Sequence, residues 1–328
     1  MRGCGTKSTD MTFPNPTYIR HDGFDIALYE AGPEDGLPLI LVHGWPEMAY
    51  SWKNQMGVLA AAGYRVIAYD VRGFGRSSAP DGMTHYGVAN LVSDIEAILS
   101  ARDIEQAVLT GHDWGGIIVW RAARMLAERI LGVIGICTPH YPPAPVDPLK
   151  VFRKRHGDDH YFIDFNDHPG RSDALFLQNT ENFFRFMFAK IPPGTKMTSE
   201  LLQTPKRFAA YLAAGAPDAD LVMSDADLKV YARHYSRSGF HGGLNLYRNT
   251  TANWEQEAGM SSRITQPVLM ISAREDLFLP PEAADGMEKI IPDLERHVIE
   301  DCGHWAMWEQ PEVLNELMLE WLGRRMSR

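Results

Sequence analysis

The chain has few cysteines and no excess of basic residues. It contains 3 cysteines among 328 residues. Cys4, Cys137 and Cys302 are too few and too widely spaced for a disulfide framework or a zinc site. The formal net charge of −10 argues against nucleic acids and anionic membrane surfaces as partners. We therefore expect no metal, no nucleic acid and no membrane among its partners.

Long apolar runs are missing as well. Residues 1–17 are polar, without the apolar run of a signal peptide, and we expect a flexible lead-in there. No later segment is long and apolar enough to span a bilayer. With 45% hydrophobic and 23% charged residues, the composition is that of a globular protein with a large core. These features predict a cytoplasmic protein, either a monomer or a homodimer.

Segments with strand patterns and segments with helix patterns alternate in the remaining chain. The strand patterns lie at residues 39–42, 65–69, 108–110, 133–136, 267–272 and 297–299. Helix patterns lie at residues 52–62, 88–99, 114–128 and 312–322. Such alternation predicts an α/β fold, a mostly parallel central sheet flanked by helices on both faces.

Residues 139–248 interrupt this alternation. Prolines follow the strand pattern at 133–136, and the segment beyond them is rich in phenylalanine and helix-forming residues, without a strand pattern. We predict a helical cap inserted at 139–248 into one α/β core formed by residues 18–138 and 249–328.

The pattern Gly111-x-Asp113-x-Gly115 joins an apolar strand to an apolar helix. It matches the nucleophile elbow G-x-S-x-G with aspartate in place of serine. Small residues flank the apex because a strand that turns directly into a helix leaves little room for side chains. A carboxylate there can displace a leaving group at carbon and form an ester that water later cleaves. The simpler alternative is an aspartate that caps a helix.

Two further residues follow in the chain order nucleophile, acid, histidine. Asp276 comes directly after the strand pattern at 267–272, and His304 after that at 297–299. The carboxyl ends of parallel strands meet in one crevice, so Asp113, Asp276 and His304 should lie together. There Asp276 would orient His304, which would take a proton from water. Glu275 competes with Asp276 for this role.

An early loop, His43-Gly44-Trp45-Pro46-Glu47, follows the strand pattern at 39–42. Cleavage of an ester needs two N–H donors aimed at the developing oxyanion. We predict the main-chain N–H of Trp114, directly after the nucleophile, and that of Trp45 in this loop. Read alone, the loop would be a simple Gly-Pro turn.

From about residue 17 onward, the chain resembles the epoxide hydrolases of the α/β-hydrolase fold. The resemblance rests on HGWPE at 43–47, GHDWGG at 111–116, CGHW at 302–305 and the cap segment GFHGGLNLYRN at 239–249. It implies that Tyr247 donates a proton to the epoxide oxygen. A second donor is implied upstream of Pro169-Gly170, where the spacing is one residue longer than usual. Tyr161 is our choice, and His160 remains the alternative.

The resemblance implies hydrolysis of a small apolar epoxide to a vicinal diol through an alkyl ester on Asp113, with no cofactor. Tyrosine suits the step on chemical grounds also, because a neutral phenol can protonate the departing alkoxide inside an apolar pocket. A haloalkane dehalogenase with the same aspartate nucleophile is the nearest alternative. The other alternative is a non-catalytic binding protein of the same fold.

Overall fold

The computed structural model describes residues 13–326, and an eight-stranded sheet forms its centre. The strands run in the spatial order β1-β2-β4-β3-β5-β6-β7-β8. Their bounds are β1 Thr17–His21, β2 Phe24–Ala31, β3 Pro38–Val42, β4 Arg65–Tyr69, β5 Ala107–His112, β6 Ile130–Ile136, β7 Val268–Ala273 and β8 Leu294–Ile299. β1 and β2 are antiparallel to their neighbours, and the other pairings are parallel. The predicted α/β-hydrolase fold class is confirmed.

Helices lie along this sheet and in a long segment between β6 and β7. Those of the core are α1 Lys53–Ala61, α2 Val88–Ala101, α3 Trp114–Met125, α12 Ala306–Glu309 and α13 Pro311–Arg325. Those between β6 and β7 are α4 Pro148–His156, α5 Tyr161–Asp167, α6 Arg171–Gln178, α7 Thr180–Met187, α8 Thr204–Ala213, α9 Asp225–Ser238, α10 His241–Arg248 and α11 Thr250–Gln256. Short 3₁₀ turns lie at Ala49–Trp52, Met83–Tyr86, Ala127–Arg129, Pro281–Ala284 and Met287–Lys289.

The inserted segment is helical in the described chain apart from one isolated bridge between Ala189 and Leu221. This agrees with the sequence, which has no strand pattern there. Its exact boundaries, 139 and 248, stay predictions. Of the helices between residues 13 and 326, none has the length and apolar composition that crossing a bilayer requires.

The central strands are apolar because helices cover both of their faces. Every residue of β5 and of β7 is buried. A strand buried on both faces reads as a continuous apolar run, which is why the sequence identifies these strands. β8 lies at the edge of the sheet, and its residues before Ile299 are exposed or only partly buried. The sequence therefore predicted only the apolar end of β8.

The antiparallel strands β1 and β2 were absent from the sequence prediction. β1 forms the other edge of the sheet, where it is mostly exposed and mixes polar with apolar residues, and β2 lies between β1 and β4. The predicted flexible lead-in falls mostly on residues 1–12, which lie outside the described chain. Phe13 already packs on the core, because its ring centroid lies 4.9 Å from that of Tyr29 and 5.1 Å from that of Tyr50.

Candidate active site

A sharp turn between β5 and α3 presents the Asp113 side chain. β5 ends at His112 and α3 begins at Trp114, so Asp113 makes the turn alone, with φ at +51°. This left-handed conformation is uncommon for a residue with a side chain and stores strain at the apex. A Cβ atom on Gly44 would clash with Asp113, and one on Gly115 would clash with the β3 main chain. The elbow can therefore form only with glycine at both positions.

Asp113, Asp276 and His304 lie together as predicted, each just beyond the carboxyl end of a strand. His304 Nδ1 is 2.7 Å from Asp276 Oδ2. Its Nε2 lies 3.6 Å from Asp113 Oδ2. The Asp276 side chain is fully buried, whereas 18% of the Asp113 side chain remains exposed. The imidazole thus lies between a buried carboxylate and one that is partly exposed.

The charges of the two carboxylates determine the pKa of His304. Burial alone would lower the pKa of His304, but the negative charges of Asp276 and Asp113 outweigh it and raise that pKa well above its ordinary value. Burial likewise would raise the pKa of Asp276, but His304 and the main-chain N–H groups of Leu279 and Phe278 lower it. In the free protein the pair is therefore an imidazolium and a carboxylate.

The Asp113 carboxylate already accepts a main-chain hydrogen bond from the early loop. The N–H of Trp45 donates to Asp113 Oδ1 at 2.7 Å. The N–H of Trp114 belongs to the first turn of α3, where main-chain donors have no acceptor inside the helix. The Trp45 N–H thus contacts the carboxyl group, and the Trp114 N–H has no partner within its helix.

Two tyrosines of the inserted helices lie close enough to Asp113 for its charge to act on them. Tyr247, on α10, has its ring 5.0 Å from that of Trp114 and 5.5 Å from that of Tyr161, the first residue of α5. Burial, followed by the charge of Asp113, raises the pKa of Tyr247 well above its ordinary value. The same two causes raise the pKa of Tyr161. Both phenols are therefore protonated donors beside Asp113.

His160, the alternative to Tyr161, is engaged elsewhere. Its Nδ1 accepts a hydrogen bond from the N–H of Phe162 at 3.2 Å, which caps α5. The ring is stacked between Phe152 and Tyr161, with centroid distances of 5.0 Å and 4.9 Å. Burial, and then the charge of His156, lowers the pKa of His160 to about 4. His160 is therefore neutral and packed within the cap.

Comparison with known proteins agrees with this geometry. The family model for the alpha/beta hydrolase fold matches residues 38–311. Epoxide hydrolase A of Mycobacterium tuberculosis is 36% identical to this chain, over 95% of the chain and 98% of that protein. An epoxide hydrolase structure from an endophytic Streptomyces superposes with a TM-score of 0.84 at 33% identity, covering 95% of this chain and 96% of the other.

The chain belongs to the epoxide hydrolases of the α/β-hydrolase fold. Bifunctional epoxide hydrolase 2 of Mus musculus is 34% identical over 97% of the chain. This epoxide hydrolase family member spans only 58%, 51% and 52% of the length of the mouse, pig and rat proteins of that name.

A second carboxylate–imidazole pair, which the sequence prediction missed, lies behind the triad of this family member. His112 Nδ1 lies 2.7 Å from Glu47 Oε2, and its Nε2 lies 2.8 Å from the main-chain oxygen of His304. Burial alone would raise the pKa of Glu47, but the charge of His112 and their hydrogen bond lower it. Both ring nitrogens of His112 are thus engaged, one by a carboxylate and the other by the main chain.

Cys137, at the end of β6, also contacts the His304 loop. Its thiol donates to the main-chain oxygen of His304 at 3.5 Å, and burial raises its pKa well above the ordinary value, so it stays protonated. Ligand atoms of His112, Cys137 and His304 lie within 4.8 Å of one another, which could suit a metal ion. However, both His112 nitrogens are already bonded to Glu47 and to the main chain. The cluster therefore acts as a hydrogen-bond network.

Glu47 lies in the motif HGWPE and His112 in the motif GHDWGG. The sequence therefore shows both residues, but it does not show that they are in contact. This contact arises because β3 and β5 are neighbours in the sheet, with Val42 beside Gly111. Only the strand order brings the residues that follow these strands together, and the sequence alone left that order open.

Proposed function

We propose that this chain hydrolyses epoxides to vicinal diols through an alkyl ester on Asp113. The observation that carries the proposal is the pair of protonated phenols, Tyr161 and Tyr247, beside the Asp113 carboxylate. A nucleophile alone would suit several leaving groups. Two neighbouring phenol donors suit a leaving alkoxide, which needs a proton when its bond to carbon breaks. The names of the related proteins and structures support the same activity.

In the first step, an oxygen of Asp113 attacks an epoxide carbon and the C–O bond of the ring breaks. Trp45 N–H holds Oδ1, so Oδ2 is the oxygen free to attack. Tyr247 and Tyr161 hydrogen-bond to the epoxide oxygen, and one of them gives up its proton as negative charge develops there. The products of the step are an alkyl ester on Asp113 and a tyrosinate.

In the second step, water attacks the ester carbonyl. His304 Nε2 takes a proton from the water, while Asp276 holds Nδ1–H and balances the charge of the ring. The N–H groups of Trp45 and Trp114 stabilise the oxyanion. Its collapse releases the diol and restores Asp113, and His304 keeps the proton from the water, as in the free protein. One epoxide and one water thus give one diol, without a cofactor.

Formation of the ester also lowers the pKa of His304, the base of the hydrolysis step. In the free protein, the charge of Asp113 is one of the causes that raise the pKa of His304. Esterification removes that charge, so the pKa of His304 falls, and the ring passes its proton to the tyrosinate and can then act as a base. The base thus becomes available when its substrate, the ester, has formed.

Several observations support Tyr161 rather than His160 as the second donor. The charges of Asp113 and Asp276 act on the Tyr161 phenol, whereas His160 uses Nδ1 to cap α5. A neutral imidazole with a pKa of about 4 is also a poor acid near pH 7. The ring centroids of Phe162 and Phe165 lie 4.8 Å and 5.3 Å from that of Tyr247. These apolar surroundings suit a small apolar epoxide.

An assay of epoxides against haloalkanes tests the proposal. Purified protein should convert a styrene-type epoxide to its diol and release no halide from chloro- or bromoalkanes. Asp113→Ala, which removes the nucleophile but leaves the fold, serves as the control and should form no diol. Halide release without diol formation would favour the dehalogenase alternative, and no turnover of any compound would favour the binding-protein alternative.

A further inference from the structure

The two tyrosines lie on different helices, so the distance between their hydroxyl groups depends on how those helices are joined. Tyr161 begins α5, and Tyr247 lies in the last turn of α10. We propose that Asn166, also on α5, fixes this distance as a positioning residue for the two proton donors. The inference rests on the function proposed above.

The side chain of Asn166 links the two helices through its two N–H groups. Nδ2 donates to the main-chain oxygen of Phe162 at 2.8 Å and to that of Tyr247 at 3.1 Å. The first bond returns to the preceding turn of α5 and fixes the side-chain orientation. The second then crosses to α10 at the residue that carries the phenol. A carboxamide offers two N–H donors, and each has one acceptor here.

The acceptor on α10 is available because of its position. Tyr247 lies in the last turn of α10, where carbonyl groups have no donor within the helix. The Thr250 hydroxyl also donates to this oxygen, at 2.6 Å. Without Asn166, the end of α10 therefore keeps a hydrogen bond, and what is lost is the link between the helices.

A second link runs in the opposite direction. Nε of Arg248, on α10, donates to the main-chain oxygen of Phe165, on α5, at 2.9 Å. Arg248 is buried and forms an ion pair with Asp173. Its removal would leave a carboxylate unpaired and destabilise the fold, so its variants would mix two effects. Asn166 is half-buried and uncharged, and it therefore gives the cleaner test.

Of the two steps, ring opening and ester hydrolysis, only ring opening should depend on Asn166. Ring opening needs both phenols at the epoxide oxygen, and a displacement of about 1 Å can cost about 100-fold in rate. Ester hydrolysis depends on His304, Asp276 and the oxyanion donors, which belong to the core. A defect at Asn166 should therefore slow alkylation and leave hydrolysis unchanged.

The test uses Asn166→Asp, Asn166→Ala and Asn166→Gln with a styrene-type epoxide. Acid quenching and intact-protein mass give the fraction of protein esterified at steady state. Dividing kcat by this fraction gives the hydrolysis rate constant, and the alkylation rate constant follows. Asp replaces two donors by acceptors that face carbonyl oxygens, so alkylation should slow by about 10- to 100-fold. Ala should have a smaller effect, and Gln, which keeps both donors, should restore part of the rate.

Asn179→Asp is the matched control. Asn179 is also a half-buried asparagine between the inserted helices, but its Nδ2 donates only to the main-chain oxygen of Leu175, at 2.9 Å. Its variant should change neither rate constant. Thermal unfolding of each variant checks the fold, and if Asn166→Asp does not fold, Asn166→Ala carries the test.

Two outcomes would overturn the inference: normal alkylation in the folded Asn166 variants, or equal slowing of both steps. The variant with Tyr161→Phe and Tyr247→Phe, measured in parallel, separates this failure from that of the proposed function. If that variant still opens epoxides at the normal rate, the proposed function is wrong. If it loses alkylation while Asn166→Asp and Asn166→Ala keep it, only the role of Asn166 is wrong.

Discussion

His304 Nε2 lies 3.6 Å from Asp113 Oδ2, beyond ordinary hydrogen-bonding distance. The ring is held instead through Nδ1, by Asp276 at 2.7 Å. The base therefore keeps its position when Asp113 changes from a carboxylate to an ester. The nucleophile and the base can then act one after the other without rearranging the site.

Replacing His304 should separate the two steps. His304→Gln leaves Asp113 and both tyrosines intact, so the protein should consume one equivalent of epoxide and stop at the ester. Intact-protein mass should rise by the mass of one substrate. Asp276→Asn should slow the same step, because it disturbs the tautomer and charge of His304. If His304→Gln forms no adduct with an epoxide that the native protein hydrolyses, His304 acts earlier than we propose.

The pH dependence should differ between the free protein and the ester. Asp113 helps raise the pKa of His304, and this contribution disappears on esterification. A base works in its deprotonated form, so the hydrolysis rate constant should rise with pH through a midpoint below the pKa of His304 in the free protein. NMR titration of the free protein gives the first value, and kcat divided by the esterified fraction at each pH gives the second. Equal values would contradict the account.

Removing a phenol hydroxyl should slow ring opening. Tyr247→Phe keeps the packing of the ring but removes a donor aimed at developing charge, a change that typically costs about 10²–10³ in rate. Tyr161 can still reach the same oxygen, so the near-complete loss should appear only when both tyrosines are replaced. Alkylation rates from pre-steady-state traces check this. Damage by His160→Phe, with no effect of Tyr161→Phe, would show that His160 is the second donor.

Breaking the Glu47–His112 pair should destabilise the fold. Glu47→Ala leaves the buried His112 Nδ1 and the N–H of Gly44 without their shared carboxylate partner, and each buried group left unpaired costs about 1–3 kcal/mol of unfolding free energy. Urea unfolding measures this difference. Glu300→Ala, which removes an exposed carboxylate paired with Arg274, is the control and should leave the stability unchanged. Equal stability of both variants would mean that the buried hydrogen bonds of Glu47 do not stabilise the fold.

The sequence contained enough to predict the fold class and to place Asp113, Asp276 and His304 just beyond strands of one sheet, while their roles stay predictions. Asp113 and Asp276 follow buried parallel strands, which give continuous apolar runs, and His304 follows the short apolar end of β8. The sequence prediction missed β1, an edge strand that is mostly exposed, and β2, which lies beside it and is buried only at its centre. Contacts across neighbouring strands or helices, such as those of Glu47 and Asn166, depend on packing and leave no periodic pattern.

The labelling of the diol in heavy-oxygen water tests most directly whether Asp113 attacks carbon. In a single turnover with excess protein, the diol should contain only ordinary oxygen, one atom from the epoxide and one from the Asp113 carboxylate. The heavy oxygen should appear in the peptide that contains Asp113. Heavy oxygen in the diol from this first turnover would mean that water attacks the epoxide directly, and the covalent mechanism would be wrong.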